Sequence, residues 1–338
     1  MINCSFVETT RDAAAPRSGL LGQVIYGGHA QRGAVLEQLQ GIPSLRLPMD
    51  RAKAEGFTEI WRVDGTVHEG GDEELLYAHD GEFLFCAGII PPAPRYADAT
   101  RELYLRAFDL VERLGYPTIF RIWNFIGGIN ADNADGLENY RDFCRGRAEA
   151  FEAGQSRLHG MPAATGIGMA GAGAAFYLLA CRSGAAAHIE NSRQVPAWQY
   201  PTQYGPRPPS FARASTLQGS SDQASRMLFV SGTASILGHE TVHPGDIDGQ
   251  CRVAINNIAH LISRENLALH GVPTAHALRE LDFIKVYYRH GRDLASIRAA
   301  CCHAFRPDAQ IRYIETDICR ADLLVEIEAL VPTAPRAE

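Results

Sequence analysis

Glu326 is the residue of this chain best placed for acid–base chemistry. It lies in the run 323–330, LLVEIEAL. The run is rich in β-formers and too short for a typical helix, so it reads as a strand. Side chains alternate faces along a strand. Leu323, Val325, Ile327 and Ala329 therefore share one face, and Leu324, Glu326, Glu328 and Leu330 the other. A carboxylate among leucines sits either at an exposed sheet surface, where most glutamates belong, or in a pocket. In a pocket, desolvation raises its pKa and makes it a usable general acid near neutral pH.

A second constellation could hold an anion. Tyr140 and Arg147 lie seven apart in a helical stretch, which puts them on one face two turns apart. Tyr200 and Arg213 lie in the segment 190–214, which carries five prolines, three arginines, Trp198, Tyr200, Tyr204 and Phe211. Prolines keep such a segment extended and preorganised. It reads either as a stiff connector or as one wall of a cleft between two modules, a common place for ligand sites. If the four residues converge, two arginines and two tyrosines suit a small dicarboxylate, because guanidinium binds carboxylate bidentately.

Two motifs lack the context that would give them meaning. His239-Glu240-Thr241-Val242-His243 matches H-E-x-x-H, but zinc binding needs both imidazoles on one helix face. Gly238 precedes this motif and Pro244 and Gly245 end it, so it reads as loop. Gly166, Gly168 and Gly171 match G-x-G-x-x-G, but residues 159–165 do not read as a strand and no helix follows. The dinucleotide fingerprint requires strand, turn and helix. These glycines are expected to allow close packing against the segment 190–214. No metal or organic cofactor is expected.

The elements that must position these residues occur in two copies. The first runs strand 82–90, helix 97–114, strand 119–125, helix 137–152 and strand 174–180. The second runs strand 227–234, helix 246–264, strand 281–288, helix 294–305 and strands 311–318 and 323–330. Helical spacing of Leu103, Ala107, Leu110 and Val111 supports the first helix, which Gly115 and Pro117 stop. Each copy is expected to lay helices on one face of a mixed sheet. Residues 1–75 read as irregular, apart from short strands at 22–25 and 59–63, with loop at 41–48.

The chain has 338 residues, 46% of them hydrophobic, enough for two ordinary domains. Net charge is −7 with no basic block, which argues against nucleic acid as a partner. Eight cysteines are scattered without a C-x-x-C pair, which suits reduced thiols in the cytoplasm. Residues 1–8 do not read as a signal sequence, and no apolar run reaches membrane-spanning length. The expectation is a cytoplasmic protein without membrane partners.

Several segments carry a resemblance. Residues 227–330 resemble the RidA/YjgF fold through the strand 228–232, the helix 250–262, the strand 282–287 and the closing 323–329. Over about residues 80–332 the chain resembles the chorismatases, through residues 120–130, 139–147, 162–168, 190–214 and 229–233. The resemblance implies an α+β chain of two RidA/YjgF-like modules in tandem pseudo-repeat. Residues 1–205 would form the N-terminal domain with the degenerate repeat and the substrate-binding linker. Residues 206–338 would form the C-terminal module carrying the acid. It implies chorismate as substrate, with Tyr140, Arg147, Tyr200 and Arg213 as binding residues and Glu326 as catalytic acid. Gly232 and Cys319 match the aromatising subclasses, where hydrolytic members tend to carry alanine. This points to 3-hydroxybenzoate and pyruvate as products. The mixed 3-/4-hydroxybenzoate and hydrolytic subclasses are the alternatives within the family. A RidA-like imine deaminase or small-molecule binding protein is the alternative outside it. RidA proteins build their sites between subunits of a trimer, whereas the duplication here suggests a monomer with a self-contained site.

Overall fold

Three β-sheets turn faces toward a shared aromatic core, and two of them carry helices on the outside. The computed structural model describes residues 1–8, 18–27, 33–49, 56–154, 160–182, 185–218 and 227–332. The first sheet contains β1 (Ile2–Glu8), β2 (Leu20–Tyr26), β3 (Val35–Leu39), β4 (Ile42–Leu47) and β5 (Phe57–Val63), in the order β1-β5-β2-β4-β3. This corrects the expectation of irregular structure before residue 75. The segment expected as loop at 41–48 contains β4 despite Pro43, and β4 pairs with β2 only from Ser44 onward. That leaves the proline outside the ladder on this side.

The second sheet contains β6 (His68–Gly71), β7 (Leu75–His79), β8 (Phe83–Ile90), β9 (Thr118–Gly127), β10 (Ala163–Met169) and β11 (Ala174–Cys181), with helices α1 (Ala97–Leu114) and α2 (Asn139–Ala153). Helix α1 ends at Gly115, whose φ of 80° only glycine adopts cheaply and whose amide closes onto Glu112. Phe108 of α1 meets Phe151 of α2 edge-on at 5.0 Å, and both helices bury Ile122 and Ile126 of β9 beneath them.

The third sheet begins with β12 (Ala185–Ile189), β13 (Ala214–Gln218) and β14 (Leu228–Ala234). A small hairpin of β15 (Ile236–Leu237) and β16 (Glu240–Thr241) follows, then β17 (Asp282–Tyr288), β18 (Ile311–Glu315) and β19 (Val325–Val331) complete the sheet. Helices α3 (Ile247–Leu261), α4 (Arg264–Ala268) and α5 (Leu294–Ala304) belong to this module. One helix is expected over 246–264, but the chain breaks where the Ser263 hydroxyl accepts the Asn266 amide and starts α4. Strand β12 precedes residue 205, yet it pairs with β13 in the third sheet.

The duplication is present strand for strand. The second sheet runs β10-β9-β11-β8-β7-β6 and the third β18-β17-β19-β14-β13-β12 when read from the same edge. In each, the parallel pair, β9 with β10 or β17 with β18, is joined through a helix, as parallel strands require. Along β19, Val325, Ile327 and Ala329 join the core beneath α3 and α5. The opposite face carries Glu326, Glu328 and Leu330 toward the sheet-to-sheet interior, as the alternation predicts.

The interior contains charge. Glu328 accepts from Arg121 at 2.6 Å and Trp123 at 2.9 Å, and pairs with Lys285 at 2.8 Å. Lys285 also pairs with Glu59 of β5 at 2.6 Å, while Tyr26, Tyr177 and Trp61 surround that carboxylate. Two cations and two carboxylates thus tie all three sheets together, each of the four being almost fully buried. Lys285→Met would strand two carboxylates without their shared cation, so it is expected to cost about 3–5 kcal/mol of stability in urea denaturation. Adding Glu59→Gln should recover part of the loss. Wild-type stability in the single variant would show that the cluster does not hold the sheets together.

Candidate active site

A cavity of about 500 Å³ opens between the second and third sheets, within the usual range for small-molecule sites. All seven residues singled out in the sequence line it: Tyr140 and Arg147 from α2, Tyr200 and Arg213 from the linker, Gly232 from β14, Cys319 from the loop before β19, and Glu326 from β19. The linker is therefore a wall of the cavity and not only a connector.

Glu326 is 4% exposed. Burial pushes its carboxyl up to about 8, and the like charge of Glu328 adds to the rise, while Arg121 and Arg213 oppose it. Glu328, two residues along the same face, goes the other way. Burial would raise it, but Lys285 and Arg121 outweigh burial and hold it below the usual carboxylate range. One strand face thus presents a neutral acid and a fixed anion side by side, the division of roles that acid catalysis needs. The Cys319 sulfur lies 4.0 Å from Glu326 Oε2. Burial, reinforced by Glu326, pushes the Cys319 thiol well up, so it stands as a neutral S–H. Burial also holds the Tyr140 phenol neutral.

Gly232 is tied to this carboxyl by space. A Cβ there would overlap Glu326 Oε1 and lie 2.8 Å from its Cδ and 3.1 Å from Thr165 Cγ2. Its amide donates to Thr165 Oγ1 at 3.0 Å, and the same hydroxyl donates to Glu328.

The two arginines are held from behind, each with a donor unspent. Arg147 donates through Nε to Tyr104 at 3.1 Å and through Nη1 to the Ser210 carbonyl, and its buried Nη2 has no partner. Arg213 Nη2 donates to the Val195 carbonyl at 2.9 Å and to Tyr200 at 2.8 Å, and its Nε is buried without an acceptor. Buried polar groups without partners are rare and costly, and guanidinium groups on a cavity wall suit carboxylate ligands.

Sequence reasoning missed further wall residues, among them Asn124, Thr165, Phe211 and Arg320. Asn124 and Arg121 had a signal, since each interrupts an apolar run that is buried throughout. Arg320 had none; it lies 3.9 Å over the Tyr204 ring, a contact that only the fold creates.

The H-E-x-x-H residues run from the turn before β16 to just past its end; His239 meets Tyr204 at 3.2 Å and His243 meets Asp246. Among the described residues no group of three or more His, Cys, Asp or Glu could hold a metal ion, and no helix is long and apolar enough to cross a membrane. The glycine motif corrects two expectations. Residues 163–169 are strand β10, and Gly166 and Gly168 pack against the Tyr140 ring and the Asp317 backbone, not the linker. Glycine suits these positions in the parallel ladder to β9 because larger side chains would strike these neighbours.

Burying Glu326 has a stability consequence. Its folded pKa lies above the ordinary carboxylate value, so the folded state loses stability as pH rises from about 4.5 to about 8. The loss approaches the order of 4 kcal/mol. Glu326→Gln should therefore melt higher than wild type at pH 8 and near it at pH 5 in calorimetry. A difference independent of pH would show that the carboxyl is not held neutral.

Comparison with known proteins shows the family. A family model described as "Chorismatase FkbO/Hyg5-like, N-terminal" matches residues 59–180. The chain is 51% identical over 330 residues to a 3-hydroxybenzoate synthase of Streptomyces hygroscopicus, covering 97% of this chain and 96% of the relative. It is 44% identical over 329 residues to a chorismatase of the same organism, covering 97% and 94%. A crystal structure of a chorismatase superimposes with a TM-score of 0.91 at 42% identity, covering 98% of both chains.

Proposed function

This chain belongs to the chorismatase family, and we propose that it converts chorismate to 3-hydroxybenzoate and pyruvate with Glu326 as the general acid. The observation that carries this reading is the buried carboxyl of Glu326 in a cavity whose wall also holds Arg147 and Arg213; burial pushes that carboxyl up to about 8. Chorismate is a dicarboxylate with an enolpyruvyl ether, and needs both.

Glu326 gives its proton to the enolpyruvyl methylene, whose double-bond pair forms the new C–H bond. The ether becomes oxocarbenium-like and a better leaving group. The neighbouring ring hydroxyl oxygen then attacks the ring carbon that bears the ether. The C–O bond to the ring breaks, its pair goes to the oxygen and so releases pyruvate as the neutral ketone, and the hydroxyl proton returns to Glu326. The resulting arene oxide opens to the phenol. Chorismate has the atoms of 3-hydroxybenzoate plus pyruvate, so no water enters and the acid is regenerated. Arg147, Arg213, Tyr140 and Tyr200 hold the carboxylates and the ring. Gly232 leaves space for the Glu326 carboxyl and the ring pose. The neutral Cys319 thiol assists proton transfer or excludes water. The tandem duplication supplies both walls of the cavity within one chain, the basis for reading it as a monomer, and eight free thiols suit the cytoplasm.

Incubation with chorismate, without added metal or cofactor, tests the reading. Equimolar pyruvate and 3-hydroxybenzoate are expected. A non-aromatic diene would move the chain to the hydrolytic subclass, a 4-hydroxybenzoate share to the mixed one. No pyruvate would overturn the assignment in favour of a RidA-like deaminase or binding protein.

A further inference from the structure

Behind Arg213, outside the cavity, lies a carboxylate that the proposed chemistry does not use. Glu190 follows β12 directly, and Arg213 precedes β13 directly, so the two are cross-strand neighbours at the end of one ladder. Glu190 Oε2 is 3.9 Å from Arg213 Nε, with both side chains largely buried. That gap is too long for a hydrogen bond. Neither Glu190 oxygen has a donor, and Arg213 Nε has no acceptor. Complementary charged groups are thus left unspent opposite each other, in a place where unmade bonds are costly. The Glu190 backbone cannot slide to close the gap, because its carbonyl accepts from Asn266 at 2.8 Å and its amide meets His270 at 3.2 Å. A side-chain movement of about 1 Å would close it.

We infer that Glu190 is a positioning residue for the reaction: its carboxylate takes the Arg213 Nε–H when substrate binds, and so fixes the guanidinium plane that holds a substrate carboxylate. This rests on the function proposed above. Arg213 Nη2 is already anchored by Val195 and Tyr200. A second anchor at Nε would lock the plane and leave the remaining edge for the ligand, the arrangement in which a guanidinium binds carboxylate best. The titratable and charged groups facing Glu190 are Arg213 across the ladder and His270 from the turn after α4. Burial pushes the Glu190 carboxyl up to about 7, and Arg213 opposes the rise. The anchor is therefore present above pH 7 and is lost as pH falls through it.

Steady-state kinetics with chorismate on Glu190→Ala and Glu190→Gln decide the matter. Glu190→Ala should raise KM roughly tenfold, the effect of one lost charge-assisted bond, with kcat within about threefold of wild type and an unchanged melting temperature. Wild-type KM should rise as pH falls from 8 to 6. In Glu190→Gln, which keeps a neutral acceptor, KM should lie between the other two and lose that pH dependence. An unchanged KM in Glu190→Ala would overturn the inference. So would a joint fall of kcat and melting temperature, which would mark a structural role. A surviving pH limb in Glu190→Gln would assign it to His270 and also overturn it. A wild-type chain that does not turn over chorismate would instead overturn the functional reading on which the inference rests.

Discussion

Glu326→Gln is expected to lower kcat with chorismate by about a thousandfold or more, while the dissociation constant measured by calorimetry stays within a few-fold of wild type. General acids contribute about 10²–10⁴ in rate, and the groups that flank Glu326 do not replace it. The Cys319 thiol is pushed well above neutrality, the Tyr140 phenol likewise, and Glu328 is held as an anion by Lys285 and Arg121. Glutamine keeps the shape and the face of the strand, so binding through Arg147 and Arg213 survives. The pH dependence of wild-type kcat follows the same logic. The active form is the protonated one, so kcat should hold below pH 8 and fall as pH rises through it. Near-wild-type turnover by the glutamine variant would remove Glu326 from the mechanism.

Gly232→Ala combined with Cys319→Ala is expected to lower the rate of 3-hydroxybenzoate formation on the order of a hundredfold and to make a diene the main product. The added methyl cannot coexist with the present carboxyl position, since it overlaps Glu326 Oε1 and crowds Thr165. The carboxyl must swing away, and misplacement of a reacting group by about 1 Å costs rates of this order. Removing the thiol 4.0 Å from Glu326 opens room beside the cationic intermediate, where water can compete with the ring hydroxyl. Product analysis by chromatography and NMR reads the outcome. Unchanged 3-hydroxybenzoate as sole product would mean that these two positions do not set the reaction's course.

Much of this was legible in the sequence because it depends on local rules. Helix α1 follows from the spacing of Leu103, Ala107, Leu110 and Val111 and the stop at Gly115, and its bounds agree with expectation. Alternation along 323–330 puts Glu326 and Glu328 on one face, and they share it. What strand periodicity could not reveal is what that face meets. The difference between the two glutamates, one neutral and one fixed as an anion, comes from Lys285 of β17 and Arg121 of the other module. No local pattern links those residues to them. The first sheet was hidden for a different reason: Pro43 and the flanking glycines give turn signals, and long-range pairing overrode them. The role of Glu190 was likewise invisible, because it depends on a ladder between segments separated by the whole linker.

Chorismate carrying ¹⁸O in its ring hydroxyl gives the most direct test of the central claim, that Glu326 protonates the enolpyruvyl group and the ring's own hydroxyl displaces pyruvate. The account predicts that the label is retained in the phenol of 3-hydroxybenzoate, formed in equal amount with pyruvate. Unlabelled 3-hydroxybenzoate would mean that the hydroxyl leaves as water and the ether oxygen stays on the ring, and would contradict the account.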